Sequence, residues 1–226
     1  MANNKELYDN FFTRMNLSFD DYFVKIEDFQ IQNGIYKSKK LNVEKVLEKE
    51  TGRFLAAKIY NVNMNKYLKV EKINLHRSIY FMSKLNHPTI IKLVGFSPIN
   101  FKKQLKPVVI TELAQNGSLF DLLKKERKKH NTNWNSTKKI ITIYGIASAM
   151  KYLHSQSILH HNLSPSNILL DDSYYPKLSN FDFLKETTEK QQKEDLEIFG
   201  EPQYVAPEVW MRKGYSQASD VYSFSF

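Results

Sequence analysis

The sequence predicts an α+β fold in two lobes, the first mainly strands with one helix, the second mainly helices. Three observations carry that expectation. Strand-like runs bounded by turns fill residues 23–60 and return at residues 90–113. Helical periodicity dominates from Leu119 to Ser157. A turn-rich stretch, Leu113 to Gly117, separates the two patterns as a connector. The division expected is an N-terminal extension at 1–22, a small lobe at 23–113 and a large lobe at 114–226. At 226 residues, 42% hydrophobic and 13% aromatic, the chain can bury a core and is not a disordered tail.

Taken in order, Glu50-Thr51-Gly52-Arg53 is a hairpin turn leading into Phe54–Tyr60, an apolar strand with Lys58 inside it. Tyr67 to Leu85 suits a helix with Ile79, Met82 and Leu85 on one face, and Pro88 follows its end. Two strands follow, Ile90 to Phe96 and Val108 to Leu113. Asn116-Gly117-Ser118 is a turn that caps a helix from Leu119 to about Arg127. Thr137 to Ser157 reads as a long helix, with Ile140, Ile141, Tyr144, Ala147 and Leu153 expected among its buried positions. Beyond it the spacing is short strand, loop, short strand.

Composition excludes several functions. Cysteine is absent, which removes disulfides, thiolate zinc sites and thiol chemistry. The longest apolar runs are far short of a membrane span, and Met1 to Phe12 is polar and charged where a signal peptide has its apolar core; a cytoplasmic protein without membrane insertion is expected. The net charge of +9 comes from 28 lysines and only five arginines beside 19 asparagines. Nucleic-acid surfaces exploit arginine forks, so this balance reads as a solvated lysine-rich surface and argues against a nucleic-acid partner.

A series of short motifs, in order, carries a resemblance. These are Ala56-Ala57-Lys58, Leu85-Asn86-His87-Pro88, Thr111-Glu112-Leu113, His160 to Asn167, Asn180-Phe181-Asp182, Ala206-Pro207-Glu208 and Asp220 to Phe224. Together they resemble the eukaryotic protein kinase superfamily, in its tyrosine-kinase-like and Ser/Thr branch. The resemblance implies a bilobal kinase-like fold, with Lys58, the gatekeeper Thr111, the hinge residues Glu112 and Leu113, and Asn167 as the positions facing nucleotide. It also implies a stacked interior of Leu93, Met82, Phe181 and His160 resting on Asp220.

The resemblance also shows what has changed. Asn162 stands where the family has its catalytic aspartate, and an amide orients a hydroxyl without usefully accepting its proton. Ser164 replaces the lysine that steadies the moving phosphate, and so brings no charge. Asn180 replaces a metal-binding aspartate, leaving Asn167 and Asn180 as neutral metal positions, with Asp182 a neighbouring candidate if the motif is read two residues later. Ser78 takes the place of the helix glutamate that would pair with Lys58; Glu71 lies two turns earlier. In the phosphate-covering loop, Val43 in the usual valine place leaves none of the three glycine positions as glycine; alternatively Gly34-Ile35-Tyr36 forms the tip. His161 replaces the arginine that would clamp a phosphorylated loop, so no conventional switch is expected at Thr187 or Thr188. Glu201 stands in a Gly-Thr-Pro position.

These residues predict a catalytically defective kinase-like protein, a pseudokinase or its fragment, working as a protein–protein scaffold or allosteric regulator. No cofactor is required, and ATP and Mg²⁺ bind weakly if at all. The alternatives are an active ATP-dependent kinase with atypical catalytic residues and a nonfunctional fragment. The sequence ends at Phe226 inside the expected central helix, so the large lobe is expected to lack its later helices; if residues 1–226 are the whole natural chain, dependence on a protein partner or self-association is expected.

Overall fold

The computed structural model describes residues 22–61, 69–128, 133–186 and 198–226. The expected N-terminal extension, apart from Tyr22, and Thr187 and Thr188 lie outside the described residues, and so does the side chain of Glu71. The chain divides into two compact units, residues 1–73 with 92–113, and residues 74–91 with 114–226.

The first unit is a five-stranded antiparallel sheet in the order β1-β2-β3-β5-β4. Its strands are β1 (Phe29–Lys37), β2 (Leu41–Glu48), β3 (Phe54–Tyr60), β4 (Leu93–Ser97) and β5 (Val108–Glu112). β3 is central, paired with β2 on one side and β5 on the other. Leu55, Ala57 and Ile59 alternate into a core with Val46, Val108 and Ile110, sealed by Ile26 and Phe29. Burying an Ile or Leu side chain of this kind contributes roughly 1.5–3 kcal/mol. The opposite alternation places Lys58 on the other face, beside Val43 on β2 and Val109 on β5. The turn before β3 closes with Gly52 at φ 71°, a left-handed position that suits glycine, and Arg53 bonds back to Glu48 at 2.8 Å.

The second unit is mostly helical. Its helices are α1 (Lys69–Lys84, which begins in the first unit), α2 (Leu119–Arg127), α3 (Ser136–Ser155), α4 (Pro207–Trp210) and α5 (Gln217–Phe224). Two small strand pairs, β6 (Ile158–Leu159) with β9 (Lys185–Glu186) and β7 (Ile168–Leu170) with β8 (Pro176–Leu178), hold the loops between them. Ser118 caps α2 by accepting the Asp121 amide at 3.1 Å, and Asn135 caps α3 through the Lys138 amide at 3.0 Å. Ile79, Met82 and Leu85 are buried as their spacing predicts.

The buried face of α3 differs from expectation. Ile140 is 67% exposed, Tyr144 is 75% exposed and Ala147 is exposed, whereas Thr142, Gly145, Ile146, Ala149, Met150 and Leu153 are buried. The helix is apolar on more than one side, and close approach decides which side goes inward. A Cβ on Gly145 would sit 2.4 Å from Pro176 Cγ, so only glycine lets α3 lie against β8. Thr89 Oγ1 then donates to the Gly145 carbonyl at 2.8 Å.

Candidate functional site

In the first unit, Lys58 is half-buried on β3, and its Nζ lies 5.3 Å from the Tyr60 ring centroid. Thr111, at the end of β5, donates its hydroxyl to the Glu112 carbonyl at 3.0 Å. Glu112 Oε1 accepts the Lys92 amide at 2.9 Å. Leu93 is buried beside Thr111 in the strand register. The β1–β2 hairpin turns at Ser38-Lys39-Lys40-Leu41, where the Ser38 hydroxyl accepts the Leu41 amide at 3.0 Å. This puts the tip at Lys39 and Lys40, with Val43 opposite Lys58 and Gly34 inside β1 facing Glu44. No glycine lies at the tip. Asn61 ties the turn down through its amide, which donates to the Ser38 carbonyl at 3.0 Å.

In the second unit, the loop from His160 to Asn167 is built on Asp220. This carboxylate is buried at the start of α5 and accepts three hydrogen bonds: the His160 amide at 2.9 Å, the His161 amide at 3.0 Å and His154 Nε2 at 2.9 Å. Burial alone would raise its pKa, but the bond from His154 and the neighbouring His160 bring it below the ordinary carboxylate value. The fully buried His160 ring is pushed down by desolvation and is neutral near pH 7; it meets Phe181 edge-on at 6.0 Å and contacts the Ser179 carbonyl at 3.2 Å. Met82 is buried in this unit as well. Phe181, rather than Phe183, is the fully buried ring beside His160.

The positions that the resemblance assigns to chemistry are linked by hydrogen bonds running from Asn180 through Asn167 to Ser164 and the Asn162 carbonyl. Asn180 has left-handed backbone (φ 67°), a conformation asparagine tolerates, and its Nδ2 donates to Asn167 Oδ1 at 2.9 Å. Asn167 Nδ2 donates in turn to the Asn162 carbonyl at 2.7 Å and to Ser164 Oγ at 3.3 Å. The Ser179 hydroxyl and amide both donate to the Asn167 carbonyl at 2.9 Å. Asn162 Oδ1 lies 3.0 Å from where a Cβ on Gly200 would stand, and Gly200 has φ 92°, so glycine is needed there on both counts. Glu201, next in the chain, is bound by the Ser166 hydroxyl and by Gln203 Nε2, each at 3.0 Å.

Asn162, Ser164, Asn167 and Asn180 are therefore brought together as a neutral, internally hydrogen-bonded set. Mg²⁺ favours anionic oxygens in octahedral geometry, and Asn167 Oδ1 is already taken by an amide, so this set does not fit that ion. Asp182, half-buried in the turn Phe181–Phe183, is the nearest carboxylate in sequence. Among the described residues no three His, Cys, Asp or Glu side chains cluster as a metal site would require, and no helix is long and apolar enough to cross a membrane. Ser78 is buried at 4% exposure, with its hydroxyl 4.0 Å from Met82 Sδ.

Sequence reasoning missed the His154–Asp220 bond, whose partners are 66 residues apart, and the Asn180–Asn167 pair, 13 apart. It also missed the stacking around His161. Neither periodicity nor spacing signals such contacts.

Residues 37–226 match the family model described as protein kinase domain. The chain is 37% identical over 155 residues to cysteine-rich receptor-like protein kinase 6 of Oryza sativa subsp. japonica, covering 66% of this chain and 21% of that protein. It is 30% identical over 202 residues to cAMP-dependent protein kinase type 3 of Saccharomyces cerevisiae, and 31% identical over 198 residues to an Aurora kinase of Debaryomyces hansenii. In both cases the match covers 88% of this chain and 46% of the relative. The chain thus spans less than half the length of these relatives.

Proposed function

The chain belongs to the protein kinase domain family, and from that premise we propose that it is a catalytically defective member acting through protein–protein contact, as a scaffold or allosteric regulator. The observation that carries the reading is the 2.9 Å hydrogen bond between Asn180 and Asn167. Phosphoryl transfer between a nucleotide and a protein hydroxyl needs metal-neutralised phosphates, an oriented hydroxyl and a group to stabilise moving charge. Here the two metal positions hold each other as neutral amides. Asn162 offers no carboxylate for the hydroxyl proton, and Ser164 offers no cation. The hairpin tip offers lysines in place of a glycine cradle.

The interior supports the other half of the reading. Asp220, His160 and Phe181 tie the loop to the body of the second unit through hydrogen bonds and ring packing, and a preorganised surface lowers the cost of binding a partner. Nucleotide, where it binds, does so weakly and without help from Mg²⁺. Titration calorimetry with ATP, with and without Mg²⁺, tests this. The expected result is a dissociation constant weaker than about 1 mM, worth roughly 4 kcal/mol, and no gain from the metal. Micromolar, magnesium-enhanced binding overturns it.

A further inference from the structure

Four aromatic rings from four stretches of the second unit, His161, Tyr215, Phe199 and Phe183, form a continuous stack. The His161 ring stacks on Tyr215 at 4.1 Å with 28° between planes, and lies nearly parallel to Phe199 at 6.4 Å with 2°. Phe199 stacks on Phe183 at 4.6 Å and 29°. The Tyr215 hydroxyl accepts the Phe199 amide at 2.8 Å, which fixes the order of the two rings. The backbone holds the arrangement from below. His161 has φ 64°, an uncommon position for histidine, and its amide is tied to Asp220 at 3.0 Å, so the ring is aimed by the carboxylate beneath the loop. His161 and Tyr215 are both buried, at 6% and 8% exposure, and Tyr215 continues into an apolar cluster with Leu159, Val205, Ala206 and Val209.

These contacts join the His160–Asn167 loop to the stretch leading into α4 from Ala206. We propose that this four-ring stack is the device that fastens the two together, and that it works without phosphate. A clamp built on phosphate needs a permanent cation with several donors. His161 instead presents its ring face to Tyr215, with Phe199 alongside, while its amide is held by the buried Asp220. Stacked rings attract through dispersion and quadrupole terms, which salt does not screen, whereas an ion pair weakens as ionic strength rises. The loop is thus held in register whatever the phosphorylation state of the chain. This inference stands apart from the proposed loss of catalysis, since an active enzyme could use the same fastening.

Hydrogen exchange on the whole chain tests it, read over residues 158–164 and 198–206. Protection in both stretches is expected to persist after phosphatase treatment and between about 0.05 and 0.5 M salt. Phe199→Leu, which removes a ring but keeps an apolar side chain, should speed exchange roughly tenfold in both stretches together. Tyr215→Phe keeps the ring and loses the hydroxyl, so residues 158–164 should stay protected. The proposal is overturned if phosphatase or salt releases either stretch, if Phe199→Leu leaves 158–164 protected, or if Tyr215→Phe alone releases it. Should Phe199→Leu also expose α3, and so report general unfolding, Phe199→Tyr decides. Retained protection supports stacking, and lost protection refutes it.

Discussion

Gly145→Ala is a substitution whose sign depends on which of two effects is larger. Inside an exposed helix, alanine is favoured over glycine by about 1 kcal/mol. Gly145 lies mid-way along α3 but is buried, and its missing Cβ is filled by a neighbour. An alanine Cβ would stand 2.4 Å from Pro176 Cγ, 3.1 Å from Pro176 Cδ and 3.2 Å from Thr89 Cγ2. Carbon atoms prefer about 3.5–4.0 Å, so α3 and β8 must separate by about 1 Å. The Pro176 ring is rigid and cannot swing away, and β8 is tied to β7 through the pairing of Pro176 with Leu170. Separation also lengthens the 2.8 Å bond from Thr89 to the Gly145 carbonyl. Overpacking of this kind costs about 1–3 kcal/mol, and loss of the bond adds about 1 kcal/mol. Set against the helix gain, the net expectation is a loss of about 1–3 kcal/mol. Urea unfolding followed by circular dichroism measures it as a lower midpoint at unchanged slope. Pro176→Ala in the same chain should recover part of the loss, because it removes the clashing ring atoms. Equal or greater stability for Gly145→Ala alone would refute the close-approach argument for which face of α3 is buried.

Asp220→Asn should destabilise the second unit by about 2–4 kcal/mol, because one amide oxygen cannot serve three donors and the amide nitrogen would face them; denaturant unfolding checks it, and a change under about 0.5 kcal/mol would argue that the carboxylate is dispensable. Stability should fall as pH drops below 6.5, since His160 has its pKa lowered by burial and the unfolded chain takes up the proton first. The slope for that one group is at most about 1.4 kcal/mol per pH unit, read from urea midpoints between pH 8 and about pH 5. Asp220, also lowered, adds a second loss below its ordinary value of 3.8, and that acid limb should be absent in Asp220→Asn.

Much of the fold is legible in the sequence because local chemistry marks it. β3 runs from Phe54 to Tyr60 and α2 from Leu119 to Arg127, where turn and cap residues announce them. The inward face of α3 is not legible. Ile140 and Tyr144 are large and apolar at helical spacing, and the helix turns them outward because the small residues Gly145 and Ala149 allow the closest packing. Which register the β1–β2 loop adopts is open in the sequence, and the turn at Ser38 to Leu41 decides it by placing Val43 across from Lys58. At the candidate site the identities of Asn162, Ser164, Asn167 and Asn180 are plain from the motifs. That Asn180 and Asn167 bond to each other is not, because the contact depends on the left-handed backbone at Asn180 and on strands β7 and β8 closing between them. The ring stack at His161 depends on Tyr215, which no motif singles out.

The proposal stands or falls on whether the uncharged positions Asn162, Ser164, Asn167 and Asn180 leave the site unable to transfer a phosphoryl group. Its most direct test is incubation of the purified chain with γ-labelled ATP, Mg²⁺ or Mn²⁺ and a broad panel of protein substrates, beside a Lys58→Ala control. Label transfer is expected to be indistinguishable from that control with either metal. Transfer clearly above the control, lost on Lys58→Ala, would contradict it.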